Sequence, residues 1–281
     1  MRLRSTLRAV AGSLVWVVAS PWQVIAQRYQ AQPARYLLTT NVTDARALWV
    51  NPAGIMRGME ASLGGDATLD RTGGALRLAQ FGLSIQSRNL AFGWSHNRYP
   101  GGFAANDYAL ALAFGDEALS MGATKHWLRG GLSDGSWDVA IRARVTPALD
   151  VSLVWRDIGS PIVRDTSLHK WPTSLIPAAG LLLFGGRLHA SMEAQLEADL
   201  SSVREVRAGA VLALGWGLSL ALRGDFSPKL DHRRGFAAAL TWSRATSRAA
   251  LVALLPADAS SLNAIGAAGL IVATPPPRRT R

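Results

Sequence analysis

The stretch LHASMEAQLEAD (188–199) alternates apolar and polar residues at every position. Leu188, Ala190, Met192, Ala194, Leu196 and Ala198 fall on one side; His189, Ser191, Glu193, Gln195, Glu197 and Asp199 fall on the other. Period two sustained over ~10 residues is a strand whose faces meet different surroundings. EASLGGDATLD (60–70) and WDVAIRARV (137–145) repeat the pattern. About fourteen such segments centre near residues 65, 81, 93, 111, 122, 141, 153, 181, 193, 210, 221, 239, 251 and 268, each of roughly the 9–11 residues that a tilted strand needs to cross a bilayer. The predicted fold class is all-β: a transmembrane antiparallel β-barrel of about fourteen strands. The second segment requires a register break near Ala79, and the last, NAIGAAGLIVA, is apolar on both faces.

The links between segments alternate in length. SRN (87–89), GDE (115–117), TPA (146–148), GGR (185–187), GWG (215–217) and SRATS (243–247) are each shorter than the links on either side. Outer-membrane barrels pair short periplasmic turns with longer outer loops, and a soluble sandwich has no reason to. On that orientation Tyr108, Trp127, Trp137, Trp155, Phe226 and Phe236 fall at outer strand ends, and Phe114, Phe184, Trp216 and Trp242 at inner ends. Two aromatic girdles are what the two membrane–water interfaces favour.

Composition narrows the function classes. The 281 residues are 49% hydrophobic and 17% charged, with no cysteine and a formal charge of +11. Disulfides and Cys-based zinc sites are excluded. Arginine is scattered along the chain in none of the spacings of a nucleic-acid module, so no nucleic-acid partner is expected. Arg2, Arg4 and Arg8, the apolar run from Ala9 to Ser20 and the small residues before Ala26 read as a signal peptide over 1–26, because the run is too short to anchor a helix in a membrane. The remaining boundaries are an N-terminal plug segment over 27–58, a barrel over 59–274 and a Pro/Arg-rich tail over 275–281. The expected location is the cell outer membrane of a Gram-negative-type bacterium.

NVTDARALWVNPAGI (41–55) is unlike the rest. Ala45, Leu48 and Trp49 share one helical face. Thr43 or Asp44 is placed to cap the helix, and Asn51-Pro52-Ala53-Gly54 stops it. A barrel of this width is not filled by its own wall. The short helix, with Trp49, Asn51, Pro52 and Gly54, is therefore expected to lie inside it as a plug.

ARALWVNPAGI (45–55) resembles the hatch segment of the long-chain fatty-acid transporter (FadL-like) family and its PorV-like relatives. RDIGSPIV…SLIPAAGLLLF (156–184) is similar to the loop and Leu-Pro strand start of the PorV-like proteins, with Asp157 where they carry Asn and Ile176 where they carry Leu. The chain departs from the family in a short segment before the hatch helix and in ending on PPPRRTR rather than on an aromatic. The resemblance implies passive binding and uptake of hydrophobic or amphipathic small molecules, fatty-acid-like in kind. Its alternative is an accessory or scaffold barrel that binds secreted proteins. Outer-membrane lipid, such a small-molecule ligand and the barrel-assembly machinery are the partners it implies.

A third class, an outer-membrane hydrolase, rests on Gly131-Leu132-Ser133-Asp134-Gly135, which matches G-x-S-x-G. That elbow needs a strand before it and a helix after it, and here strands are predicted on both sides. Ser167-Leu168-His169-Lys170 matches S-x-x-K as cheaply, and the five histidines lack metal-binding spacing. No catalytic residue, metal or cofactor is expected.

The predicted lumen face carries Arg142, Arg144, Arg156, His189, Glu193, Glu197, Arg207, Arg223 and Asp225, together with Asp150, Glu205 and Arg248. Arg or Lys on the lipid face costs about 2–4 kcal/mol at the midplane, so these charges belong inside. They read either as an ion network holding plug to wall or as a path for an amphipathic anion. His189 with Glu193 and Glu197 is the one His–carboxylate grouping visible in the pattern. Arg98, Lys125, His126, Arg129, Lys229, His232, Arg233 and Arg234 are assigned to outer loops, suited to anionic headgroups or a carboxylate.

Two outcomes test these assignments. N-terminal sequencing of envelope-localised protein should begin at Gln27; a chain that still carries Met1 would overturn the signal assignment. An impermeant thiol reagent on intact cells should label Ser167→Cys and leave Asp116→Cys unlabelled, and the reverse pattern would invert the strand orientation.

Overall fold

The computed structural model describes residues 36–57, 61–72, 75–98, 104–130, 132–133, 135–159, 162–163, 169–170, 172–230, 233–244, 247–256 and 264–273. The signal segment, the C-terminal tail and Ser167 lie outside them. Helix is confined to α1 (Ala47–Val50), a 3-10 stretch at Pro52–Met56 and a 3-10 turn at Phe184–Gly186. The strands are β1 (Ala61–Thr72), β2 (Ala75–Ser87), β3 (Leu90–Arg98), β4 (Ala104–Gly115), β5 (Leu119–Gly130), β6 (Leu132–Ser133), β7 (Trp137–Arg144), β8 (Leu149–Ile158), β9 (Ile162–Val163), β10 (His169–Lys170), β11 (Ser174–Leu183), β12 (Leu188–Glu197), β13 (Val203–Gly215), β14 (Leu218–Phe226), β15 (Arg233–Arg244), β16 (Ser247–Pro256) and β17 (Ala264–Ala273).

One antiparallel sheet runs β1-β17-β16-β15-β14-β13-β12-β11-β8-β7-β5-β4-β3-β2. β1 pairs with β2 on one side and with β17 on the other, Ala61 opposite Ala273 and Asp70 opposite Ala264. The sheet is thus rolled into a barrel with sequential neighbours throughout.

Alternation along each strand separates two faces. In β3, Ala91, Gly93, Ser95 and Asn97 are buried, while Leu90 and Phe92 are exposed. In β4, Ala105, Asp107, Ala109, Ala111 and Ala113 point inward and Tyr108, Leu110, Leu112 and Phe114 outward. Leu83, Ile85, Met121, Ile141, Leu153, Leu240 and Leu251 continue the exposed apolar band around the wall. A band of this extent far exceeds the few hundred Å² of apolar patch that soluble monomers show, and lipid is the solvent it suits. Tyr108, Trp127, Trp137 and Trp155 stand outward at one end of the strands, and Phe114 and Trp242 at the other.

The expected register break is present, and two departures from the sequence reading have local causes. The register break near Ala79 is a bulge: Thr68 faces Gln80 and Leu69 faces Leu78, so Ala79 has no partner in β1. Pro177, expected to precede its strand, lies inside β11; it pairs with Leu153 of β8, but the ladder with β12 skips Ile176 and Pro177, because proline has no N–H to give. The links after β5 and β8 are not plain loops. β6, β9 and β10 form a separate three-stranded sheet, with Leu132 opposite Val163 and Ser133 opposite Ile162.

The barrel's core is the segment 36–57. Leu38, Val42, Leu48 and Ile55 are fully buried, and the segment packs on Ala91, Ala109, Ala111, Ala113, Ala221, Ala237 and Ala239 of the inner face. Small inward residues leave it room. A Cβ added at Gly122 would lie 2.5 Å from the Pro52 carbonyl carbon, and one at Gly93 would lie 2.5 Å from the Trp49 ring. Gly209 is similarly overlain by Leu38, and Gly180 by Thr40.

Gly122→Ala should therefore unseat the Pro52 turn at a cost of about 1–3 kcal/mol. Limited proteolysis should cut the segment faster while the heat-modifiable mobility of the barrel persists. Gly65→Ala, where the new methyl meets Leu83 at 3.4 Å, should match wild type.

Candidate functional site

The inner segment is shaped by a few side chains. Asp44 accepts from the Arg46 backbone N–H at 3.0 Å, and the Ala47 N–H donates to the Asp44 carbonyl at 2.7 Å. The Arg46 guanidinium grips the Asp44 carboxylate at 2.6 Å and reaches the Tyr36 hydroxyl. Burial would raise the Asp44 carboxyl, but the Arg46 charge and its hydrogen bonds outweigh it and hold the group below the ordinary carboxylate range. Asp44 thus stays ionised in a site nearly closed to water. The expected cap at Thr43 or Asp44 is not formed: the N-cap position is Arg46 and carries no side-chain cap. Asp44 spends its oxygens on a turn before the helix, and Arg46 holds them there.

Asn51 is the pivot. Its Oδ1 accepts from the Ala53 N–H at 3.1 Å, and its Nδ2 donates to the Thr39 carbonyl at 2.7 Å. This ties the two arms of the segment together and caps the 3-10 turn that Pro52 begins. Gly54 was expected to supply a permissive turn. Its role is contact: any Cβ there would collide with the Val42 carbonyl. Trp49 lies against Gly93, its ring 6.0 Å from that of His126.

The wall binds this segment through its backbone. Arg142 donates to the Val42 carbonyl at 3.0 Å and to the Thr40 carbonyl. Arg223 donates to the Leu37 carbonyl at 2.9 Å, and Arg156 to the Val50 carbonyl at 2.7 Å. Gln86 donates to the Ile55 carbonyl at 2.8 Å, and Thr124 to the Leu48 carbonyl at 3.2 Å. In the other direction the Ala45 N–H donates to Ser62 at 2.8 Å and the Thr39 N–H to Glu193 at 3.1 Å. Short irregular chain cannot satisfy its own amides, and the lumen side chains do it instead. Each guanidinium is itself balanced. Arg142 lies 3.4 Å from Asp150, which also pairs with Arg57 of the segment; Arg156 lies 3.3 Å from Asp138, and Arg223 2.7 Å from Asp225.

The structure sorts the residues singled out in the sequence. Arg142, Arg156, Arg223 and Glu193 touch the segment directly. Arg207 bridges Glu193 at 3.1 Å and Glu205, and donates to Gln195. Arg144 sits half-exposed at the inner rim with Glu117 and Asp150. Glu197 pairs with Arg204 rather than with His189. His189 faces Gly180 beside Thr40, so the grouping inferred from its strand does not form. Residues four apart on one strand are ~13 Å apart, far beyond the spacing of cross-strand neighbours.

The His–carboxylate cluster lies elsewhere. His126, assigned to an outer loop, is buried on the inner face of β5, with Nδ1 3.1 Å from Asp107 and Nε2 3.6 Å from Asp138. Lys125 and Arg129, also assigned to a loop, belong to the same strand, which runs on to Gly130. Asp107, His126 and Asp138 come from three strands, and only register brings them together. The same is true of Ser62 and Gln86, which meet at 3.0 Å. Among the described residues no group of His, Asp and Glu is arranged to hold a metal. Ser133 stands in a short strand and Trp137 begins the next, so the helix that a nucleophile elbow requires does not follow it.

No family profile and no curated protein matches the chain. Solved structures do. The toluene transporter TodX of Pseudomonas putida superposes with a TM-score of 0.54 at 11% identity, over 82% of this chain and 92% of that one. A second structure of TodX gives 0.50 at 12% identity, over 85% and 95%. The outer membrane protein Omp33 of Acinetobacter baumannii gives 0.49 at 8% identity, over 78% and 100%. At such identities the likeness is one of fold. The chain has the fold of the outer-membrane β-barrels, and the apolar band around its wall seats it in the outer membrane.

Proposed function

We propose that the chain is a closed, fourteen-stranded outer-membrane barrel plugged by residues 36–57, and that it admits hydrophobic or amphipathic small molecules passively. The observation that carries this reading is how the inner segment is held. It is bound to the wall by hydrogen bonds from Arg142, Arg156, Arg223 and Gln86 to its carbonyls, and it rests in hollows made by Gly93, Gly122, Gly180 and Gly209. Such contacts close a lumen and also release it, because a shifted segment exchanges them for water or for a ligand's polar group. Guanidinium groups beside alanine-lined wall suit a ligand with an anionic head and an apolar body, as a fatty acid has. The likeness to the toluene transporter TodX supports passage of apolar solutes in general. No catalytic group enters this reading.

Deleting 41–55, or combining Arg142→Ala with Arg223→Ala, should raise single-channel conductance while leaving a heat-modifiable barrel. Each lost guanidinium strands a buried carbonyl and a carboxylate, a penalty of about 3–5 kcal/mol per broken buried pair, against a wall held by backbone pairing throughout. Liposomes carrying the wild-type chain should take up a long-chain fatty acid faster than empty ones. Unchanged conductance in the deletion would reject the plug; uptake equal to that of empty liposomes would reject transport.

A further inference from the structure

The outward face of β3, β4 and β5 is layered toward the end that carries the links 99–103 and 131–136. Leu110 and Phe92 face each other in the apolar band. One step further along, Trp94, Tyr108 and Trp127 form a cross-strand row. The next step is polar: His96 lies opposite Asn106, and Asn106 opposite Arg129. Asn106 Oδ1 accepts from Trp94 Nε1 at 3.2 Å and lies 3.0 Å from His96 Nδ1, so the aromatic and polar rows are fastened together. Arg98 follows at the strand end, exposed like Arg129. Lys125, deeper on the same face, folds its ammonium over the Trp137 ring 5.0 Å from the centroid, as a lysine does when its stem lies in lipid and its charge reaches for the interface.

Among the described residues no carboxylate pairs with Arg98, Lys125 or Arg129, whereas Arg204 pairs with Glu197 and the lumen arginines pair with Asp138, Asp150, Glu193 or Asp225. Positive charge on a lipid-facing wall costs about 2–4 kcal/mol at the midplane and little at the interface, where headgroup phosphates are the nearest anions a bilayer offers. A basic row directly above an aromatic row matches the level of lipid headgroups. We propose that this face binds a phosphorylated glycolipid of the outer leaflet, with Arg98, Lys125 and Arg129 on its phosphate and Trp94, Tyr108 and Trp127 beside the start of its acyl chains. The site rests on the membrane seating of the barrel and is independent of transport.

Native mass spectrometry of the full chain in detergent, titrated with lipid A, tests it. Wild type should retain lipid A about ten-fold more tightly than dephosphorylated lipid A or phosphatidylglycerol, since two or three charge-assisted contacts are at stake. The triple variant Arg98→Ala/Lys125→Ala/Arg129→Ala should lose that preference, and Arg204→Ala should keep it. Equal retention of the three lipids by wild type, or undiminished preference in the triple variant, would overturn the proposal. If the triple variant lacks heat-modifiable mobility, the wild-type comparison and the single variant Arg129→Gln decide it.

Discussion

Everything in this molecule follows from the need to satisfy backbone hydrogen bonds where no water is present. In hydrocarbon, an unpaired amide costs several kcal/mol, so a strand can cross only with a partner on each side. The pairing of β1 with β17 meets that condition for the first and last strands. It also creates the second requirement, an interior wider than the wall's own side chains can fill. The segment 36–57 packs against the inner face of that wall, and most other features of the chain accommodate it.

The accommodation divides into shape and charge. Shape comes from residues with little or no side chain: Gly93, Gly122, Gly180 and Gly209 sit where Trp49, Pro52, Thr40 and Leu38 press on the wall, and inward alanines flank them. Charge comes from arginines that donate hydrogen bonds to the segment's carbonyls and are neutralised in turn by Asp138, Asp150 and Asp225. A buried ion pair is a poor source of net stability, because desolvation offsets much of the attraction. Its worth here is specificity of placement: the guanidinium fork fixes where an otherwise irregular chain runs.

The two faces of the wall treat positive charge differently. Inside, each arginine that touches the segment is matched by an acid. Outside, near one rim, Arg98 and Arg129 stand above a row of aromatics and Lys125 lies below it with its ammonium over Trp137, and among the described residues no acid pairs with them. Protein carboxylates balance the first set.

Much of this was legible in the chain itself. Period two in LHASMEAQLEAD assigns both faces of its strand, since alternate residues must point opposite ways, and His189, Ser191, Glu193 and Gln195 do face inward. The bulge at Ala79 was legible because Arg77 and Phe81 could not otherwise both be comfortable. The Asn51-Pro52-Ala53-Gly54 stop was legible as a break in helical pattern. Partnership was not. His126 looked like a loop residue and stands between Asp107 and Asp138; His189 shares a face with Glu193 and Glu197, which pair with Arg207 and Arg204 instead. Gly54 looked like a permissive turn residue and is a point of contact with Val42. Alternation is a property of one strand and is written locally. Which residues meet depends on register between strands and on how a separate segment lies inside them, and those are decided only when the sheet rolls up and its interior is filled.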